Sequence, residues 1–178
     1  MAQNPDIYAS IKAIALDIDG VMTDGSLQLL ADGDILRTMD AKDSFAVRVA
    51  AQKGLTVAFI SGGQTEALER RCRHLGCRPE NLYLGTRGKL AAFRDFCEKN
   101  GLEASEVMYF GDDIPDTQVL AAAGIGVAPA DAALEAKEAA DIVSEYPGGH
   151  WCVRTEIEKL LRAQGKWYFD PDKYDQIF

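Results

Sequence analysis

The chain is poor in the residues that build structural zinc sites and disulfide frameworks. Its 178 residues include two histidines and four cysteines, and no two cysteines form a Cys-x-x-Cys pair. A structural zinc site is therefore not expected. No apolar run approaches the roughly 20 residues that span a bilayer, and segment 1–10 lacks the basic and apolar regions of a signal peptide. We expect a cytoplasmic protein with reduced thiols and no membrane partner.

Positive charge is also in deficit. The chain carries 19 basic and 28 acidic side chains, a formal net charge of -9 at pH 7. An acidic surface repels the phosphates of nucleic acids and anionic lipids, so neither is an expected partner. The hydrophobic fraction of 47% is typical of a folded globular protein. A small phosphorylated molecule is still a feasible ligand, because a metal ion and local cations can reverse the field inside a site.

Short β-rich runs alternate with longer helical runs, which is typical of a parallel sheet covered by helices. Strands are predicted at residues 13–16, 56–60, 81–84, 107–110, 125–128 and 142–143. Helices are predicted at residues 44–53, 65–75, 89–100, 116–123, 132–140 and 153–164. The sequence therefore predicts a single α/β domain, residues 1–178, with a doubly wound, Rossmann-like and mostly parallel sheet.

Residues 26–39 interrupt this alternation. Two runs of alternating hydrophobicity flank Asp32-Gly33, and Asp-Gly between such runs is a strong signal for a tight hairpin. We expect a β-hairpin inserted between the first strand and the first helix, with no cap domain. The tail at residues 165–178 is aromatic and charged, without clear periodicity.

Polar residues follow the predicted strands at the end where doubly wound sheets bind their ligands. Two aspartates follow the first strand, a serine and two glycines follow the second, and two aspartates follow the fourth. A lysine opens the helix after the third. These residues are Asp17, Asp19, Ser61, Gly62, Gly63, Lys89, Asp112 and Asp113. We expect them to converge at one edge of the sheet.

Each of these residue types suits phosphoryl transfer. The Asp17 carboxylate can attack phosphorus to form an aspartyl-phosphate, and Asp19 can protonate the leaving oxygen and later activate water. Lys89 and Mg²⁺ held by aspartates can neutralise the phosphate. Taken singly, an Asp-x-Asp pair, a serine or a lysine is more often a turn, a cap or a solvated charge. Their occurrence together, each at a strand end or helix start, favours a magnesium-dependent phosphatase.

The motif at residues 17–25 resembles the first signature of the haloacid dehalogenase superfamily, and Ser61, Lys89 and residues 111–116 resemble the other three. Within that superfamily, the chain is similar to the capless 3-deoxy-D-manno-octulosonate 8-phosphate phosphatases, which make a sugar acid for lipopolysaccharide. The similarity covers about residues 11–164. Its supporting features are the Thr-Asp-Gly extension at residues 23–25, the hairpin, Lys42-Asp43, Arg70-Arg71 and Gly148-Gly149.

The resemblance implies a role for each matching residue. The nucleophile would be Asp17, the acid–base Asp19, and the phosphate would be held by Ser61 and Lys89. The Mg²⁺ ligands would be the carboxylates of Asp17 and Asp112 and the backbone carbonyl of Asp19. Substrate contacts would come from Asp19, Lys42, Asp43, Ser44, Arg48, Gly62, Gly63, Arg71, Lys89 and Asp113, with Arg71 on the sugar carboxylate. Supporting residues would be Thr23 and Asp116. The family also implies a homotetramer in which the hairpin and tail close a neighbouring site.

Two departures from the family pattern leave the sugar open. Many relatives carry Gly-Arg where this chain has Gly62-Gly63, and a glycine where it has Ser44. A phosphatase for a nine-carbon, sialic-acid-like sugar phosphate or a nucleotidase therefore stays an alternative, as does a non-catalytic module of the same fold used for assembly.

Overall fold

A six-stranded sheet forms the centre of the protein in this computed structural model, which describes residues 5–176. All neighbouring strands run parallel, and across the sheet they lie in the order 82–84, 56–61, 13–16, 107–110, 125–128 and 142–143. The strands are β1 (Ala13–Leu16), β4 (Thr56–Ser61), β5 (Leu82–Leu84), β6 (Val107–Phe110), β7 (Ile125–Ala128) and β8 (Ile142–Val143). Strands such as β1 and β6 are buried on both faces, which is why they read as almost continuous apolar runs.

Six helices cover the two faces of the sheet. They are α1 (Ala41–Gln52), α2 (Glu66–His74), α3 (Lys89–Asn100), α4 (Thr117–Ala122), α5 (Leu134–Ala139) and α6 (Cys152–Ala163). Helices α1, α2 and α6 pack on one face, and α3, α4 and α5 pack on the other. The predicted doubly wound α/β fold is therefore confirmed. Among the described residues, no helix is both long enough and apolar enough to cross a bilayer.

Some helix boundaries differ from the prediction. Helix α1 begins at Ala41, earlier than predicted, because the Asp40 carboxylate accepts hydrogen bonds from the N–H groups of Lys42 and Asp43. Helix α5 begins at Leu134, later than predicted. Helix α3 has the predicted bounds, and Gly101 ends it in the left-handed conformation.

The inserted segment is a two-stranded antiparallel hairpin, as predicted. Its strands are β2 (Gln28–Leu29) and β3 (Ile35–Leu36). Between β1 and α1 the described chain carries this hairpin and no cap domain. Its leucines are poorly covered: Leu29 is 79% exposed and Leu36 is 51% exposed. An isolated hairpin with so little buried surface is marginally stable in water, so other contacts must hold it in place.

The start of the tail packs on its own chain. The rings of Trp167 and Phe169 lie 6.3 and 5.9 Å from that of Phe45 in α1, and the Arg154 guanidinium lies 4.7 Å from the Trp167 ring. Trp167 and Phe169 therefore pack on their own chain, whereas a role of the tail in closing a neighbouring site stays a prediction. Residues 177 and 178 of the predicted tail lie outside the described residues.

The order of the strands determines where in the sheet the site lies. The chain runs from β1 outward through β4 to β5, then returns to β6 on the other side of β1 and continues outward. The order therefore reverses between β1 and β6, the point at which doubly wound sheets open a crevice. Leu16 at the end of β1 pairs with Phe110 at the end of β6, so the residues that follow both strands come together.

Candidate active site

Three carboxylates meet at this point of strand reversal. Asp17 follows β1, Asp112 follows β6, and Asp116 ends the short 3₁₀ turn that comes next. One oxygen from each lies within 4.8 Å of the others. The prediction that residues after β1 and β6 converge is confirmed by this geometry.

Lys89 brings the positive charge to the cluster. It is the first residue of α3, and its Nζ donates to Asp17 Oδ2 over 2.6 Å and to Asp116 Oδ1 over 2.7 Å. The lysine side chain is only 7% exposed. These bonds run with little solvent screening, so they hold the ammonium firmly between the two carboxylates.

The electrostatics of the cluster favour a bound cation. Burial raises the pKa of Asp17 to about 6, and the negative charge of Asp116 adds to this against the opposing effect of Lys89. Burial and the charges of Asp17 and Asp116 raise the pKa of Asp112 to about 7. For Lys89, burial opposes the charged form, but the two carboxylates outweigh it and raise its pKa. One ammonium does not balance three carboxylates, and their hard oxygens suit Mg²⁺.

Asp116 differs from Asp17, which accepts one hydrogen bond on each oxygen, because it accepts two hydrogen bonds on each of its oxygens. Oδ1 accepts from Lys89 Nζ and from the hydroxyl of Tyr109, the latter over 2.5 Å. Oδ2 accepts from the backbone N–H groups of Asp112 and Asp113 over 3.3 Å each. Burial and the charge of Asp116 hold the pKa of Tyr109 well above its usual range, so its hydroxyl stays a donor. Tyr109 was missed from the sequence because it lies inside an apolar strand.

Close backbone packing shapes the loop after β1. Thr23 Oγ1 accepts from the N–H groups of Gly20 and Gly25, over 3.2 Å each. A Cβ on Gly20 would lie 2.0 Å from Asp112 Oδ2, and a Cβ on Gly148 would lie 1.8 Å from the Gly20 carbonyl oxygen. Gly148 and Gly149, which precede α6, therefore let the chain pass close to the loop at residues 17–25.

Asp19 faces the same cleft, of about 250 Å³, but belongs to a different ion pair. Its two oxygens accept from Nε and Nη2 of Arg37 over 2.6 and 3.0 Å. Arg37 follows strand β3 of the hairpin. No motif in the sequence identifies Arg37 as a site residue. The only available signal was its position directly after a run of alternating hydrophobicity, which is compatible with an inward side chain.

A second cavity lies between the hairpin and α2. It has a volume of about 330 Å³, and its lining includes Arg37, Arg71 and Thr65 together with apolar residues of the hairpin. The structure thus places Arg71 beside the hairpin.

The segment at the start of α1 is placed away from the cleft. Asp43 is completely buried, and its oxygens accept from the N–H groups of Trp151 and Arg154 at the start of α6, over 3.1 and 2.7 Å. Lys42 Nζ lies 4.0 Å from the Trp151 ring. Ser44 is buried, and Arg48 donates to the carbonyl of His74. Within the described part of the chain, none of these predicted substrate residues lines the cleft.

Three further predicted residues lie at strand ends. Ser61 is buried at the end of β4, next to β1, and its Oγ accepts from the Gly63 N–H over 3.2 Å. Gly62 lies between them. Asp113 lines the cleft, and its Oδ1 accepts from the N–H of Ile114.

Comparison with known proteins agrees with this geometry. A family profile described as haloacid dehalogenase-like hydrolase matches residues 81–147. The 3-deoxy-D-manno-octulosonate 8-phosphate phosphatase of Escherichia coli K12 is 37% identical over 157 residues, which are 88% of this chain and 82% of that protein.

Two solved structures are also similar. One is this phosphatase from Moraxella catarrhalis in complex with a magnesium ion, a phosphate ion and KDO, with a TM-score of 0.85 at 27% identity over 97% of this chain and 94% of that one. The other is the cobalt-bound enzyme of Haemophilus influenzae, with a TM-score of 0.85 at 33% identity over 89% of this chain and 92% of that one.

Proposed function

The chain belongs to the 3-deoxy-D-manno-octulosonate 8-phosphate phosphatase family of the haloacid dehalogenase superfamily, and from this premise we propose that it hydrolyses that sugar acid phosphate through an aspartyl-phosphate on Asp17. The observation that carries the proposal is that buried Asp17 and Lys89 meet half-buried Asp112 at the point of strand reversal. A fold used only for assembly would not require unbalanced carboxylates in a buried cleft, because their repulsion destabilises it.

In the first step an Asp17 oxygen attacks phosphorus while the bond from phosphorus to the sugar oxygen breaks. Asp19, on the cleft wall, gives a proton to the leaving sugar oxygen. In the second step Asp19 takes a proton from water as that water attacks phosphorus, which frees inorganic phosphate and restores Asp17. Lys89 holds Asp17 in place and faces the phosphate's negative charge, and Ser61 with the N–H groups after it binds phosphate oxygens.

Asp17, Asp112 and the backbone carbonyl of Asp19 would hold a Mg²⁺ ion, for which the clustered carboxylate oxygens of Asp17 and Asp112 are suitable ligands. When bound, the ion would neutralise negative charge on the transferring phosphoryl group. Asp116 serves instead as an anchor for Lys89, because its two oxygens already accept four hydrogen bonds. Thr23 supports the loop that carries the Asp19 carbonyl.

The sugar acid would extend from the cleft toward the cavity that Arg71 lines. A guanidinium is well shaped to bind a carboxylate with two hydrogen bonds, and the Moraxella relative was solved with KDO. The remaining predicted contacts, from Lys42, Ser44 and Arg48, would require the substrate or a neighbouring subunit to approach α1. Asp43 would act there by holding the start of α6.

A homotetramer would cover the exposed leucines of the hairpin. Leu27, Leu29, Leu30 and Leu36 are 46%, 79%, 44% and 51% exposed. Burial of such a group against identical neighbours is favourable by about 25 cal/mol per Å² of apolar surface. It would also exclude water from a site that has no cap domain.

The test is a panel of phosphorylated eight-carbon and nine-carbon sugar acids, nucleoside monophosphates and one aryl phosphate, assayed for released phosphate. With Mg²⁺, we expect the highest kcat/KM on 3-deoxy-D-manno-octulosonate 8-phosphate. In excess chelator, we expect no phosphate release from any compound. A higher kcat/KM on a nine-carbon acid or a nucleotide would identify that compound, and not 3-deoxy-D-manno-octulosonate 8-phosphate, as the substrate. No release from any compound, with Mg²⁺ or Co²⁺, would favour the assembly module.

A further inference from the structure

The ion pair between Arg37 and Asp19 ties the hairpin to the catalytic cleft. Arg37 directly follows β3, and its Nε and Nη2 donate to the two Asp19 oxygens over 2.6 and 3.0 Å. Among the described residues, this is the only ion pair that joins segment 26–39 to the rest of the chain. The hairpin thus reaches a residue of the proposed reaction directly.

The pair is closely packed. The Arg37 side chain is only 7% exposed. A Cβ on Gly63 would lie 2.9 Å from Arg37 Nη2 and 3.4 Å from Asp19 Oδ2. A side chain at position 63 would therefore push on the pair, so the backbone of this loop acts as a wall that fixes both groups.

This arrangement is poorly explained by stability alone. Arg37 Nη1 is buried and has no hydrogen-bond partner among the described protein atoms. A buried donor without a partner costs about 1–3 kcal/mol, and replacing a buried ion pair with apolar residues is often neutral or stabilising. A buried arginine with an unpaired donor therefore suggests that the geometry it imposes on Asp19 has a use.

We propose that Arg37 is a positioning residue, whose guanidinium holds the Asp19 carboxylate at the cleft wall in the orientation that proton transfer to the leaving oxygen requires. The inference rests on the proposed function, because it takes Asp19 as the acid–base. Arginine presents its donors in a rigid planar fork, so a bidentate pair fixes the direction of a carboxylate as well as its distance. Because Arg37 follows β3, the position of the hairpin sets the orientation of Asp19.

Leaving-group dependence separates positioning from a general effect on the fold. Proton donation matters most when the leaving oxygen is strongly basic, so benzyl phosphate needs it and 4-nitrophenyl phosphate needs it little. Neither compound carries a sugar carboxylate, so sugar contacts do not enter. For Arg37→Ala, we expect kcat/KM on benzyl phosphate to fall by about 10²-fold, the lower end for loss of an acid–base, with little change on 4-nitrophenyl phosphate.

Two further variants test the geometry. Arg37→Lys keeps the charge but lacks the fork, so we expect a benzyl phosphate kcat/KM between wild type and Arg37→Ala. Gly63→Ala keeps both Arg37 and Asp19 but adds a methyl group that pushes on them. We expect it to lose kcat/KM on benzyl phosphate and not on 4-nitrophenyl phosphate. This variant keeps the test possible if Arg37→Ala does not fold. Arg162→Ala removes an exposed arginine that pairs with Glu158, and serves as the matched control with wild-type kinetics.

A double-mutant cycle tests whether Arg37 acts through Asp19. If it does, Asp19→Asn and Asp19→Asn/Arg37→Ala will have the same kcat/KM on benzyl phosphate. A further loss in the double variant would overturn the positioning role. The positioning role would also be overturned if folded Arg37→Ala lost kcat/KM equally on both phosphates, or if it kept wild-type kcat/KM on both. A wild type that releases no phosphate from either compound or from 3-deoxy-D-manno-octulosonate 8-phosphate would overturn the proposed function and this inference with it.

Discussion

Replacing Asp112 by asparagine should stabilise the metal-free protein while it weakens the metal site. Burial and the charges of Asp17 and Asp116 raise the pKa of Asp112 from its ordinary value of 3.8 to about 7. At pH 8 the carboxyl group is ionised in both the folded and the unfolded chain, so the folded state carries the full repulsion. Asparagine has nearly the same shape and no charge.

The size of the effect follows from the pKa. A change from 3.8 to about 7 corresponds to about 4 kcal/mol. Because Asp112 is only partly buried, solvent screens the repulsion, and we take half of this value, about 2 kcal/mol. For a chain of this length, that raises the Tm by about 4–8 °C.

The pH dependence has a definite sign. A carboxyl group whose pKa is raised by folding favours the folded state below its unfolded pKa and loses this contribution as the pH rises through its folded pKa. The advantage of Asp112→Asn should therefore be full at pH 8, shrink as the pH falls below 7 and vanish near pH 4. In excess Mg²⁺ at pH 8, the wild type should unfold at a higher temperature than Asp112→Asn, because Mg²⁺ binding stabilises the wild type and stabilises the variant little.

Thermal unfolding in chelator at pH 5 and pH 8 provides the assay. Glu98→Gln, which removes one exposed charge from α3, is the control for net charge. If Asp112→Asn unfolds at or below the wild-type temperature at pH 8 in chelator, the charge of Asp112 does not destabilise the folded protein. The same conclusion holds if the difference in unfolding temperature is equal at both pH values.

Four further substitutions test the site and the hairpin. Asp17→Asn should fold normally and lose at least about 10³-fold in kcat, since an amide cannot replace the attacking carboxylate; a tenth of the activity in folded protein would contradict the mechanism. Arg71→Ala should raise KM for the sugar acid phosphate far more than for an aryl phosphate, which has no carboxylate, and equal losses would argue against that contact. Asp43→Ala should destabilise the protein by about 2–4 kcal/mol in urea unfolding, because two buried N–H groups lose their acceptor, and Asp43→Asn should cost less. Light scattering should show a tetramer that Leu29→Glu breaks, because Leu29 is 79% exposed on the hairpin; a fully active wild-type monomer would rule out the shared site.

The sheet and the hairpin could be predicted because their signals are local. Strands such as β1 and β6 are buried on both faces, so apolar residues occupy every position and the chain shows them directly. The Asp32-Gly33 turn marks the hairpin within a few residues. Helix α1 was misplaced at its start, because the Asp40 side chain was not recognised as its cap.

The aspartates of the candidate site could also be predicted from the sequence, whereas the contacts that orient them could not. Asp17 and Asp112 each follow a strand directly, and parallel strands bring their carboxyl ends to one edge. Arg37 pairs with a residue 18 positions away, and Asp43 holds the start of α6 more than 100 positions away. Nothing in the sequence near either residue identifies its partner.

The alternation of strands and helices, the residues that follow each strand and, through them, the class of chemistry can all be predicted from the order of the residues. The folded protein was needed to see that Trp167 and Phe169 fold onto α1, that Asp43 is a buried helix cap and that Arg37 reaches Asp19. Strand and turn signals come from neighbouring residues. A side chain's partner depends on which surfaces the folded chain brings within a few ångströms, and on the burial that makes an unpaired charge costly.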